Sequence, residues 1–258
     1  MSSLFIRTER SIKEFAQLYP IVTTLVVIHF VLWLMINFMQ LPFAIELYYW
    51  GFGHNFSITI NNEYWRFITP IFLHADLMHT LFNSFALVIF GPALERMLGK
   101  GKFIFAYLAA GIIGNLGTYF IDTTSLIPHV GASGSIFGLF GIYMYMVLRR
   151  KDLIDSANAQ IVLTIFVIGL IMTFIRPNIN IAGHIFGFIG GIALSPIILQ
   201  NAVHFSNYPI HRKRQHKDGE IQFDPNRWNK RRLSKKMKRN LIWIIFAIIA
   251  IISLWNRF

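Results

Sequence analysis

Seven apolar runs, most of them close to the length that crosses a bilayer, constrain this chain more than any other feature. They occupy about residues 21–39, 77–95, 103–121, 131–148, 159–176, 181–199 and 241–255. A membrane-crossing helix needs about 20 consecutive, mainly apolar residues. Inside lipid each backbone group must find its partner within the structure, which a helix provides by itself. The composition agrees: 55% of the 258 residues are hydrophobic and only 14% are charged, against about 25% charged in soluble domains. The expected fold is an all-α membrane protein, a polytopic helical bundle. With no cysteine in the chain, thiol catalysis, disulfides and thiolate metal sites are excluded.

The positive charges set the orientation. Twenty-one of the 24 Lys and Arg fall on one side of the bundle if the N-terminus is cytoplasmic, leaving Arg66, Arg176 and Arg257 on the other. Cytoplasmic loops carry such an excess. Four divisions follow. Residues 1–19 read as a cytoplasmic amphipathic lead-in lying at the interface, without the small-residue cleavage pattern of a signal peptide. Residues 20–201 form the transmembrane core. Residues 202–240 are a basic cytoplasmic linker suited to anionic lipid rather than to nucleic acid. Residues 241–258 hold the seventh span. The long outer connection at 40–76 is too aromatic for a floppy loop and belongs partly in the headgroup region.

The chemistry is read from two glycine-striped runs. The fourth opens on Gly131-Ala132-Ser133-Gly134 and continues through Gly138 and Gly141. The sixth opens on Gly183-His184 and continues through Gly187 and Gly191. Both runs start on the outer side, so Ser133 and His184 share a leaflet, each about one turn below the surface. Small residues at four-residue spacing let helix backbones come close. If the stripes face each other, a hydroxyl and an imidazole meet at their outer end, and a serine needs such a base to become a nucleophile. In the second run His79 and Asn83 are four apart, hence on one face. The Asn83 amide can donate to a developing oxyanion, partnered by the Ser133 backbone N–H at the helix start. No acid lies deep in any run, since Glu95 and Asp122 sit at ends, so a dyad is simpler than a triad. The same lack disfavours an aspartyl protease and a proton-driven transporter. No HExxH or equivalent metal spacing is present.

In order along the chain, these residues resemble the rhomboid family of intramembrane serine proteases. The resemblance rests on Trp65-Arg66 in the outer connection, HxxxN at His79 and Asn83, GxSG at Gly131 to Gly134, and HxxGxxxG at His184, Gly187 and Gly191. It implies a six-helix rhomboid core, here with an extra C-terminal helix. Ser133 would be the nucleophile and His184 the general base and acid, with His79, Asn83 and the Ser133 amide as the oxyanion hole and no cofactor. Phe137 stands where the family often has a Tyr that stacks on the histidine. The implied substrates are single-pass membrane proteins cut near the outer surface, with the fifth run as lateral gate and the 177–183 loop as a cap. A bacterial plasma membrane fits the charge pattern. Trp65 and Arg66 read as structural, and Glu95-Arg96 as an end-of-helix pair. His29 reads as bonding to a neighbouring helix, while His54 and His129 have no special role. The rival reading is a silent rhomboid-like protein that binds or escorts membrane helices; such proteins typically lack the serine or the histidine, and both are present.

Overall fold

Prolines and short polar side chains mark where the helices begin. A computed structural model of the chain describes residue 9, residues 11–176 and residues 179–202. Helix α1 (Ile12–Leu18) is capped by Ser11, whose hydroxyl accepts from the Glu14 N–H. Helix α2 (Pro20–Trp33) starts on a proline, whose missing N–H costs nothing in a first turn. It then widens into a π-turn over Leu34–Phe38. Its N-terminal donors are met from afar: the Glu95 carboxylate accepts from the Ile21 and Val22 N–H groups, each at 2.9 Å. Glu95, 3% exposed, therefore crosses to cap α2, where the orphan donors and the helix dipole both favour a negative charge.

The outer connection is folded throughout. It consists of α3 (Pro42–Gly51), α4 (Asn55–Asn61) and two 3₁₀ turns, Tyr64–Phe67 and Thr69–Phe72. Gly53 pairs with His129 as an isolated antiparallel bridge, which ties this connection to the loop that precedes Ser133. Burial, with His54 nearby, holds the His129 imidazole well below its ordinary range, at about 4.

Five long helices follow. Asp76 caps α5 (Leu77–Leu98) by accepting from the His79 N–H. Gly99, with φ at +78°, turns the chain directly into α6 (Lys100–Ile121). Next come α7 (Ser133–Arg149), α8 (Ser156–Ile175) capped by Asp155, and α9 (Ile181–Ile198) capped by Asn180. These bounds follow the apolar runs closely. The α2–π unit, α5, α6, α8 and α9 are each long and apolar enough to cross a membrane. Helix α7 has 17 residues, or about 26 Å at 1.5 Å per residue. That is at the short end of the range for a helix that crosses a hydrocarbon core of about 30 Å.

The bundle centres on α6, α7 and α9, whose backbones touch. A Cβ placed on Gly187 or Gly191 would collide with the carbonyl oxygen of Gly134 or Gly138, and one on Gly141 with that of Phe188. The third wall is α6, where Gly114 faces the Gly183 carbonyl and Gly117 faces the Phe186 ring. Around this seam Leu87, Phe90, Tyr107, Leu139, Ile142 and Tyr143 form a fully buried shell. The Tyr143 hydroxyl donates to the Phe90 carbonyl at 2.7 Å, joining α7 to α5. Helix α8 is different: it buries only Asn158, Val162 and Thr173. The loop residues Pro177 and Asn178, most of the basic linker and the seventh apolar run lie outside the described residues.

Candidate active site

The approach to Ser133 is shaped by one glycine. Gly131 has φ at +128°, which L side chains rarely adopt, and a Cβ there would lie 2.6 Å from His79 Nε2. Its N–H donates to the Pro70 carbonyl at 2.9 Å, anchoring the loop to the outer connection. Two residues on, Ser133 is the first residue of α7. Ala132, at the N-cap, offers no side-chain acceptor. The first N–H groups of α7 therefore have no acceptor within their own helix, which leaves them available to an incoming oxygen.

His184 is the fourth residue of α9 and is 7% exposed. Its imidazole lies flat on the Phe137 ring, with centroids 4.2 Å apart and planes 14° from parallel. Phe137 is four residues after Ser133, so both sit on the same face of α7. The serine is thus one turn from the ring on which the imidazole rests. Among the described residues no hydrogen bond joins Ser133 to His184; such bonds are often long in an enzyme without substrate and tighten when it binds. The Nδ1 of His184 is 2.8 Å from the Thr173 hydroxyl. Thr173 carries no motif, and a threonine in an apolar run usually bonds to a carbonyl one turn back. Its second partner is visible only once α8 and α9 are placed side by side.

His79 and Asn83 both face Gly131 from α5. The position of its missing Cβ is 2.6 Å from His79 Nε2 and 3.6 Å from Asn83 Nδ2. Asn83 is 7% exposed, and its Nδ2 is buried without a hydrogen-bond partner. An amide N–H beside the start of α7 can donate to an oxygen that arrives there. The His79 ring packs edge-on against His74 at 5.1 Å, and His74 in turn lies 4.8 Å from His29. The His29 Nε2 is 3.5 Å from the Tyr107 hydroxyl of α6, the interhelical contact expected for it.

Gly134, Gly187 and Gly191 form the seam below the site. Trp65 and Arg66 stand apart from it, in the outer connection. Trp65 stacks on Trp50 at 4.7 Å and donates to the Trp50 carbonyl. Arg66 is buried, pairs with Glu63, donates to the carbonyls of Tyr49 and Phe52, and lies over the Phe52 ring. Both residues hold the end of α3 in place. His129 has more structure than expected, because its ring covers the Gly53 backbone.

Comparison with known proteins is consistent with this arrangement. The family model described as the rhomboid domain matches residues 61–201. The Bacillus subtilis (strain 168) protein whose name reads "Putative rhomboid protease YdcA" is 46% identical over 200 residues, covering 76% of this chain and 97% of its own. Rhomboid protease GluP of the same organism is 40% identical over 135 residues, 52% of this chain and 26% of GluP. Rhomboid-type serine protease 2 of Emericella nidulans is 29% identical over 145 residues, 54% of this chain and 28% of its own.

Proposed function

Because this chain belongs to the rhomboid family and is a rhomboid-type serine protease, we propose that Ser133 is its nucleophile and His184 its general base and acid. The observation that carries the assignment is the stack of His184 on Phe137, one turn along α7 from Ser133. The Ser133 hydroxyl proton passes to His184 Nε2 as Oγ attacks the scissile carbonyl carbon. The resulting oxyanion faces the Asn83 amide, His79 and the Ser133 N–H, donors already in place before charge develops. His184 then returns the proton to the leaving amine as the peptide bond breaks, giving an acyl-enzyme. Water, deprotonated by the same imidazole, releases the second product. Phe137 orients the imidazole by stacking alone. Gly131, Gly134, Gly187 and Gly191 hold the backbones at the distance this requires.

The substrates are single-pass membrane proteins whose helix loosens near the outer surface. An intact helix satisfies its own peptide groups and withholds them from attack; small or helix-breaking residues release them. The protein sits in a bacterial plasma membrane with residues 1–19 in the cytoplasm and the site facing outward. Residues 20–201 form the catalytic core, residues 202–240 lie against anionic lipid, and residues 241–258 add a seventh span.

Labelling with a fluorophosphonate probe, together with cleavage of a single-pass reporter, tests the dyad. Wild type is expected to label and cut, and Ser133→Ala and His184→Ala each to lose both. Activity retained in either variant overturns the assignment. The absence of native cysteine makes the topology testable as well: Ser125→Cys should react with an impermeant maleimide in intact cells, and Lys151→Cys only after lysis.

A further inference from the structure

We propose that Thr173 of α8 is a positioning residue that fixes the tautomer of His184, so that Nε2 is the unprotonated nitrogen facing the nucleophile. The proposal rests on the reading of Ser133 and His184 as a dyad. Thr173 is 1% exposed and one of three buried residues on α8. Its Oγ1 lies 2.8 Å from the Gly169 carbonyl oxygen and 2.8 Å from His184 Nδ1. A hydroxyl has one proton to give, and a carbonyl can only accept. Both contacts are hydrogen bonds in one arrangement alone: Thr173 donates to Gly169, and His184 donates from Nδ1–H to the Thr173 lone pair. A neutral imidazole carries a single proton, so Nε2 is then left with its lone pair.

The opposite tautomer makes one hydrogen bond fewer. There the hydroxyl turns from Gly169 to reach Nδ1, and Nε2 carries the proton. In that state His184 cannot accept the serine proton. The arrangement also serves the next step. When Nε2 takes up the proton, the positive ring keeps its Nδ1–H bond to Thr173, and the hydroxyl passes polarisation on to the Gly169 carbonyl. A hydroxyl and a carbonyl thereby do the orienting that an acid does in a three-residue triad. Phe137, lacking a phenol, gives the imidazole a surface and no hydrogen bond.

The decisive variants are Thr173→Val, which keeps the shape and removes the hydroxyl, and Thr173→Ser, which keeps the hydroxyl. With a single-pass reporter, Thr173→Val is expected to lower kcat by about 10- to 100-fold, less than the roughly 100- to 10,000-fold that general acid–base catalysis supplies, because the base itself stays in place. KM should stay within about twofold, and Thr173→Ser should recover most of the loss. A merely structural threonine would instead move KM and folding together, with no rescue tied to the hydroxyl. The ¹⁵N spectrum of histidine-labelled wild type, with His184 assigned by difference against His184→Asn, should show a protonated Nδ1 and a bare Nε2. This measurement does not depend on any Thr173 variant folding. Wild-type kcat in Thr173→Val overturns the proposal while leaving the dyad intact, whereas a protonated Nε2 in the neutral wild type overturns the proposal together with the route of the serine proton through Nε2. Cleavage by Ser133→Ala would overturn the dyad itself.

Discussion

The seam between α7 and α9 and the neighbouring helix α8 are built on opposite plans. Across the seam, glycines meet carbonyl oxygens, and no side chain separates the two backbones. Helix α8 buries three of its twenty residues and presents Val167, Ile168, Ile171, Phe174 and Ile175 outward. Yet His184 touches both, resting on Phe137 of α7 and bonded to Thr173 of α8. One flank of the imidazole is set by a ring on the tightly packed α7 and the other by a single hydrogen bond to α8, which buries little of its own surface. Local stability in proteins is uneven in this way, and elements that must move are drawn from the weaker end. The contrast suits a protease that keeps its chemistry fixed while a membrane helix enters beside it.

Four substitutions would break or sharpen that contrast. The largest effect is expected from Gly187→Leu, which drives a side chain into the Gly134 backbone; overpacking against backbone should cost about 3 kcal/mol or more, with activity lost, as read by unfolding in mixed detergent micelles. Asn83→Ala should lower kcat by about 100-fold, the cost of removing an oxyanion donor. Its stability should change by less than about 1 kcal/mol, because no protein group bonds the Asn83 Nδ2 among the described residues. Glu95→Gln, at the cap of α2, should cost about 1.5–3 kcal/mol, the range for hydrogen bonds to a charged group, with kcat unchanged in the folded fraction. The smallest effect belongs to Ile171→Ala on the exposed face of α8, which should stay within about 0.5 kcal/mol. A cost there as large as that of Gly187→Leu would erase the distinction between the two flanks.

Much of this was legible in the chain itself. The apolar runs foretold the bounds of α5 to α9 to within a few residues, because lipid imposes a length that composition records directly. The glycine spacing in α7 and α9 foretold their contact, since four-residue spacing of small residues has few other uses in a membrane. His79 and Asn83 share a face by spacing alone. What stayed hidden depends on which way each helix is rotated about its axis. Gly111, Gly114 and Gly117 make α6 the third wall of the seam, yet their spacing was overshadowed by the two runs that carry motifs. Glu95 reads in the sequence as part of an end-of-helix pair, and its reach to the first turn of α2 needs that helix in place beside it. Thr173 looked like any threonine in an apolar helix. Its partner is eleven positions away, across a turn, and no periodicity within α8 points to it.

The collision of Gly187 and Gly191 with the carbonyls of α7 has a consequence for how such an enzyme can diversify. The spacing between its two reacting helices is ruled by peptide atoms, which every amino acid shares, and not by the size of any side chain. No single exchange of residues can widen or narrow that gap by a little; it can only preserve the fit or wreck it. Descendants of this chain that acquire new preferences must therefore find them in the periphery, on the outward face of α8, where variation is cheap.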